Sequence, residues 1–336
     1  MSLKHYTIPI FIPHYGCKND CIFCNQKKIS GVKLPTSINE VENIIQAHLK
    51  TIKKENSFIE IGFFGGSFTG LSIEIQESYL KVANKYILSG DVNCLRLSTR
   101  PDYINIQILD LLKAYGVRTI ELGVQSVDDE ILRIAKRGHS IKDIEFASSL
   151  IKENRFNLGL QMMIGLPGDS YSKSLYTASK IVELKADCVR IYPVLVIKDT
   201  ELEELYNKGI YKPLSLAEAI EIAKDILLLF ESAGIEIIKV GLHPSEELKS
   251  DKALVAGPYH VSFRELVLTE IWGEILKKYM VDYRNKNINV FVSKEQINFA
   301  VGYNSKNKKK LSEYYKKVYF KLDSNLKGRE LYVDIY

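Results

Sequence analysis

The sequence predicts an α/β chain, a full or partial parallel (β/α) barrel of the TIM type followed by a small basic C-terminal α/β module. Three observations predict it. Short apolar runs alternate with amphipathic stretches through the first 245 residues, the segment Leu242 to His260 breaks that alternation, and the last fifty residues read strand, helix, loop, helix, strand.

The strand candidates are Tyr6–Ile12, Phe58–Phe64, Cys94–Ser98, Arg118–Gly123, Leu158–Met163, Cys188–Tyr192 and Glu236–Val240. Each is short and mostly apolar, as strands of a covered parallel sheet are. Between them, Ser37-Ile38-Asn39-Glu40 is a capping box in front of Val41, Ile44 and Ile45. Ser215-Leu216-Ala217-Glu218 repeats the device before Ile220, Ala223, Leu227 and Phe230 at helical spacing. Repeated β–α units with right-handed crossovers close as an open doubly wound sheet or as a barrel, and six or seven units suit a full or partial barrel. Pro244, Gly257 and Pro258 then punctuate an irregular stretch, and a long helix is expected from Phe263 to about Tyr283. The C-terminal elements are expected as a strand Ile288–Val292, a helix Lys294–Val301, a helix Asn307–Lys317 and a strand Val318–Leu322. The chain thus divides into a barrel unit 1–245, a connecting segment 246–285 with the long helix, and a small unit 286–336.

Composition agrees with a soluble globular protein: 336 residues, 46% apolar and 26% charged. No apolar run reaches the roughly 18–20 residues of a membrane span. Ile8 to Ile12 is too short for a secretory signal, so the expected location is the cytoplasm. Charge is uneven. Residues before Glu246 carry 29 basic and 29 acidic groups, whereas Glu246 to the end carries 17 and 12. The whole excess of +5 falls on the C-terminal part, which points to a polyanionic partner.

Five cysteines stand at 17, 21, 24, 94 and 188. Cys94 and Cys188 lie in apolar strand-like surroundings and read as buried thiols. Cys17, Cys21 and Cys24 fall within eight residues after the first strand, in C-x3-C-x2-C spacing with Phe23 before the last. Short spacings let one loop wrap three corners of an iron–sulfur cube. Three thiolates leave one iron open to chelate a small molecule through an amine and a carboxylate. Zinc is the alternative, with His14 as fourth ligand. The loop's position at a strand's C-terminal end, where barrels and doubly wound sheets carry their active sites, favours the cluster.

The cysteine loop, Phe63-Phe64-Gly65-Gly66-Ser67-Phe68, Ser98-Thr99-Arg100-Pro101-Asp102, Glu121-Leu122-Gly123-Val124-Gln125-Ser126, Arg137-Gly138-His139, Ile164-Gly165-Leu166-Pro167-Gly168 and Ile191-Tyr192-Pro193-Val194-Leu195-Val196 follow one another over about residues 6–245. In that order they resemble the radical S-adenosylmethionine (SAM) superfamily. The closer resemblance is to the radical domain of the Elongator catalytic subunit, and the more distant one is to oxygen-independent coproporphyrinogen III oxidase. The resemblance implies a [4Fe–4S] cluster on Cys17, Cys21 and Cys24, SAM on its open iron, and reductive cleavage to a 5′-deoxyadenosyl radical. It implies SAM contacts at Phe23, Gly65, Gly66, Ser98, Gln125, Arg137 and Gln161. Gly65 and Gly66 let a ligand approach the backbone. Ser98 stands where relatives often carry an acidic residue, and Arg137 offers a planar fork to the SAM carboxylate. Tyr192 and Lys198 follow the sixth strand and are the candidates for facing substrate; His139 reads as structural. An electron donor such as flavodoxin or ferredoxin is implied as a partner. The chain is too short for the acetyltransferase domain of the Elongator subunit, so radical generation is what transfers.

The final elements, with Gly302-Tyr303-Asn304-Ser305 between two helices, resemble a minimal KH-type RNA-binding unit, whose G-x-x-G loop clamps phosphates. Ser305 replaces the second glycine. Lys306, Lys308, Lys309 and Lys310 would present charge beside the loop, while Leu311, Tyr314, Tyr315 and Val318 would form the apolar stripe of the second helix. The expected function is radical SAM modification of RNA, with tRNA the model substrate. The alternatives are a small metabolite or tetrapyrrole substrate, or a cluster protein that delivers a cofactor without catalysis.

Overall fold

A computed structural model describes residues 3–12, 16–17, 21–25, 36–242 and 253–336. Seven strands form one parallel sheet in sequence order: β1 (Lys4–Ile12), β2 (Ser57–Gly65), β3 (Cys94–Thr99), β4 (Val117–Gln125), β5 (Asn157–Ile164), β6 (Cys188–Pro193) and β7 (Glu236–Val240). Among the described residues β1 pairs only with β2 and β7 only with β6, so the curled sheet is a partial (β/α) barrel, open between its edges. All seven strand candidates are found, each extended by at most two residues at either end.

The alternation along the strands decides what lies on each side. Ile8, Ile10, Ile12, Ile59, Ile61, Phe63, Leu95, Leu97, Ile120, Leu122, Leu158, Leu160, Val189 and Ile191 belong to one core with the helices. The alternate positions Thr7, Glu60, Arg96, Ser98, Glu121, Gln161 and Arg190 meet one another on the opposite face, inside the barrel. Successive side chains point to opposite faces, so one strand serves both surroundings. A barrel lumen is usually filled by branched apolar layers; here it is polar.

The outer helices are α1 (Ile38–Thr51), α2 (Ile73–Leu88), α3 (Ile106–Ala114), α4 (Asp129–Ile134), α5 (Ile141–Glu153), α6 (Tyr171–Glu183), α7 (Glu201–Asn207) and α8 (Leu216–Ser232). Both expected capping boxes form. Ser37 N donates to Glu40 at 2.7 Å, and Ser215 N to Glu218 at 2.7 Å. Each such cap satisfies otherwise orphaned backbone donors, for about 1 kcal/mol.

The long helix α9 (Phe263–Lys277) is shorter than the sequence suggests. Phe263, Val267, Leu268 and Ile271 join the barrel core, and Trp272 and Leu276 join a second core. The chain then turns into β8 (Tyr283–Val292), followed by α10 (Ile297–Val301), α11 (Lys306–Leu311), β9 (Tyr315–Leu322) and β10 (Leu331–Ile335). The helix expected over Asn307–Lys317 ends at Leu311. Tyr315 and Val318 are buried from a strand that runs parallel to β8, with Ile288 opposite Val318. That pairing satisfies the backbone of a central strand, which helix periodicity at three residues could not reveal. Strand β10, missed in the sequence, pairs antiparallel to β8 and packs Leu331, Val333 and Ile335 on the second core. Among the described residues no helix is long and apolar enough to cross a membrane.

Candidate active site

The described part of the cysteine loop is pinned from two sides. Ile22 is buried with Ile131, Ala135, Leu166 and Leu202, and Phe23 packs at the edge of that group. Burying one such side chain contributes about 1.5–3 kcal/mol. Ile22 N donates to Ala135 O at 3.3 Å, and Leu202 N donates to Ile22 O at 2.8 Å. On the other side, Gly16 has φ +78, and a Cβ there would stand 2.2 Å from Ser67 O. Only glycine fits such a left-handed close approach. Cys17 Sγ lies 3.3 Å from Ser67 Oγ, and Asn25 Nδ2 donates to Lys198 O at 3.2 Å. His14 lies outside the described residues.

Cys17, Cys21, Phe23, Cys24, Gly65, Gly66, Ser98, Gln125, Arg137 and Gln161 all line one cleft at the C-terminal ends of the strands. Ser67, Thr99, Arg100 and Gly123 complete it. Arg137 is buried. It follows α4, whose end holds the cysteine loop, and it donates to Cys21 Sγ at 3.0 Å and to Gly123 O at 2.6 Å. Its backbone carbonyl accepts from Arg100, whose guanidinium also chelates Asp102 at 2.9 and 3.0 Å. Gln125 takes φ +68 just after a register shift in β4. A non-glycine residue held there stores about 1–3 kcal/mol of strain, a signature common at ligand sites. His139 is buried behind the cleft, 3.4 Å from Val124 O. Burial, then Arg137 and Arg100, push its imidazole down to about 3, so it stays neutral.

Beneath the cleft runs a buried ionic row. Gln161 Nε2 donates to Ser98 Oγ at 3.1 Å and to Glu121 Oε2 at 2.9 Å. Arg190 grips Glu121 at 2.5 and 3.0 Å, and Arg96 donates to Glu121 Oε1 at 2.9 Å. Arg96 Nε lies 2.8 Å from Glu60 Oε1, in register for charge but poorly aligned for a hydrogen bond. Thr7 donates to Glu60 at 2.8 Å. Burial alone would raise the Glu121 carboxyl, but Arg190 and Arg96 hold it below the ordinary carboxylate range. Because a carboxylate only accepts, Glu121 fixes the Gln161 amide nitrogen inward.

The cysteines carry no disulfide and share this cleft. Among the described residues no three His, Cys, Asp or Glu side chains converge as the ligands of one metal ion do. A cubane's thiolates bind separate irons at separate corners, so the donor set fits a cluster. The general model of the radical SAM superfamily matches residues 11–181, a little over half of the chain. The chain belongs to the radical SAM superfamily. The Radical_SAM C-terminal domain matches residues 186–272. This radical SAM chain is 33% identical to a tRNA uridine(34) acetyltransferase of Methanocaldococcus jannaschii over 202 residues, 53% of this chain and 37% of that protein. It is 28% identical to Elongator complex protein 3 of Dictyostelium discoideum, over 54% of this chain and 36% of that one. It therefore spans little more than a third of these relatives. An uncharacterized protein of M. jannaschii is 31% identical over 67% of this chain and 71% of its own length. The archaeal Elp3 of Methanocaldococcus infernus, lacking residues 1–46, shares the fold at a TM-score of 0.65 and 23% identity, over 83% of this chain and 64% of that one.

The substrate-facing candidates fall outside the cleft lining of this radical SAM enzyme. Tyr192 is half-buried beside Arg190, and its partial desolvation raises its phenol. Lys198 lies where its backbone N donates to Ala253 O, beside the cysteine loop. Sequence reasoning missed Glu60, Arg96 and Arg190. The available signal was charge at alternate positions of apolar strands, where a buried charge demands a partner. Cys94 and Cys188 are buried, and burial raises their thiols to about 11 and about 12, as inert core cysteines require.

Proposed function

We propose that Cys17, Cys21 and Cys24 hold the [4Fe–4S] cluster that the family implies, and that the enzyme modifies an RNA. The observation that carries the first part is the meeting of all ten expected cofactor residues in one cleft. When bound, the cluster supplies one electron that cleaves SAM to a 5′-deoxyadenosyl radical. The protein's own part is placement. Gly66 N is committed to Ile12 O, which fixes the turn that would face the SAM amine. Arg137 would offer its planar fork to the SAM carboxylate, and Gln161 would turn its carbonyl outward as an acceptor. Phe23, Gly65, Ser98 and Gln125 would line the remaining SAM surface.

The RNA half of the reading rests on the curated relatives named for tRNA uridine and on the C-terminal module. Its β–α–turn–α–β order with parallel outer strands supports a KH-like unit. Ser305 takes φ +60, the backbone that the missing second glycine would favour. Lys306 pairs with Glu270, whereas Lys308, Lys309 and Lys310 are exposed beside the turn. Lys306, Lys309 and Lys310 border a groove of about 1220 Å³ between α8, α9 and α11, which also carries Glu218, Glu221, Glu270 and Glu313. In this reading phosphate contact falls to the exposed Lys308, Lys309 and Lys310.

The two halves of the reading are tested separately. Anaerobically reconstituted protein should bind SAM and release 5′-deoxyadenosine with a reductant, and Cys21→Ala should lose both the brown absorbance and that release. A colourless, zinc-loaded wild type prepared without oxygen refutes the cluster. Nucleoside profiling of RNA from a strain lacking the protein should show one modification missing, and crosslinking in cells should capture RNA less well when Lys308, Lys309 and Lys310 are replaced. An unchanged profile without crosslinks transfers the radical to a small molecule.

A further inference from the structure

The row that crosses the lumen does not end at Arg190. Gly123 stands opposite Gln161, Gln161 opposite Arg190, and Arg190 opposite Lys239. Four neighbouring strands therefore carry these residues at one level on one face, from the cysteine cleft to the open edge at β7. Within the row, Glu60 and Glu121 offset Arg96 and Arg190. Lys239 is left over. Among the described residues no carboxylate pairs with it or with Arg264 at the start of α9; the charges that act on Lys239 are Arg190 and Arg264.

Lys239 and Arg264 line a cavity of about 470 Å³ together with His260, Ser262, Glu265 and Phe299. Burial, then Arg190 and Arg264, push the Lys239 ammonium below its ordinary range. Lys239 is half-buried and Arg264 is exposed at the mouth, so two like charges border one cavity and an anion between them would offset their repulsion. Arg190 is occupied by Glu121, so among the described residues the donors left without a carboxylate are those of Lys239 and Arg264. A guanidinium fork beside an ammonium suits a tetrahedral oxyanion. The cavity also adjoins the C-terminal turn, because the His260 ring meets the Tyr303 ring edge-on at 5.2 Å.

We propose that the Lys239–Arg264 cavity is a subsite for a phosphate-type oxyanion, anchoring a phosphorylated substrate at the open edge of the barrel. From there the row Arg190–Gln161 leads to the cleft. The proposal rests on the cleft being where the radical is made.

The test uses the full chain, reconstituted anaerobically, with reductive methylation of Lys239 read by peptide mass spectrometry. Inorganic phosphate should protect Lys239 at a concentration at least tenfold below chloride at matched ionic strength. Arg264→Gln should raise the phosphate needed at least tenfold, and Arg264→Lys should restore most of the protection. Protection by a short oligoribonucleotide well below the concentration of inorganic phosphate assigns the oxyanion to a polymer; equal protection by ribose 5-phosphate assigns it to a small molecule. If phosphate protects no better than chloride, or if Arg264→Gln is protected like the wild type, the subsite does not exist. Release of 5′-deoxyadenosine by the wild type is measured separately, so its absence removes the reading of the cleft without altering the protection result.

Discussion

Replacing Glu121 by glutamine should damage the barrel more than any loss of packing at that site. Glu121 is 1% exposed and accepts from Arg96, from Arg190 twice, and from Gln161. The glutamine keeps the volume but removes the charge, and its amide nitrogen must face donors. Arg96 then keeps only Glu60, and Arg190 loses its carboxylate. Breaking a buried pair by removing one partner costs about 3–5 kcal/mol. For a domain of this size that lowers the melting midpoint by on the order of 10 °C. The second half of the prediction is sharper. Glu121→Gln with Arg190→Gln removes one charge of each sign and leaves Glu60 and Arg96 paired at 2.8 Å. The double variant should therefore be more stable than Glu121→Gln alone, with a coupling of at least about 1.5 kcal/mol in the double-mutant cycle. The assay is urea unfolding of the cluster-free protein followed by circular dichroism. A single variant within about 1 kcal/mol of wild type, or additive variants, would refute the charge balance of the lumen.

Gln125→Gly should relieve the left-handed strain and raise stability by up to about 1 kcal/mol in thermal unfolding, while SAM binding measured by equilibrium dialysis weakens. A weaker fold with unchanged SAM affinity would contradict both roles. Gly16→Ala should displace the cysteine loop from Ser67 O, so that reconstituted protein retains less than half of the wild-type iron by assay; full iron content would show that the close approach is not needed. For His139 the folded imidazole titrates at about 3, far below the unfolded value near 6.5. The unfolded chain then binds the extra proton, and stability falls as pH drops from 6.5 toward 3. His139→Gln should flatten that dependence by up to about 1.4 kcal/mol per pH unit, and equal slopes for both proteins would count against a buried neutral imidazole.

Much of the candidate cleft was legible because its parts are local. The C-x3-C-x2-C spacing, the Gly65-Gly66 strand end and Gln125 with Arg137 twelve residues later each sit in a segment that carries its own geometry. The C-terminal module was less legible. Leu311, Tyr315 and Val318 satisfy a helical stripe as well as a strand edge, and parallel pairing with β8 decided between them.

The sequence by itself determined the seven strands, the cysteine spacing and the glycines beside it, because strand periodicity, residue spacing and turn chemistry act over a few residues. Only the tertiary structure decided the polar lumen. Glu121 meets Arg96 from 25 residues away and Arg190 from 69, and neither separation has a sequence signature. It also decided that, among the described residues, Lys239 has no carboxylate partner once those charges cancel. Charge balance in a low-dielectric interior depends on which side chains share a face across neighbouring strands, and register sets that only when the strands pair and the sheet curls around it.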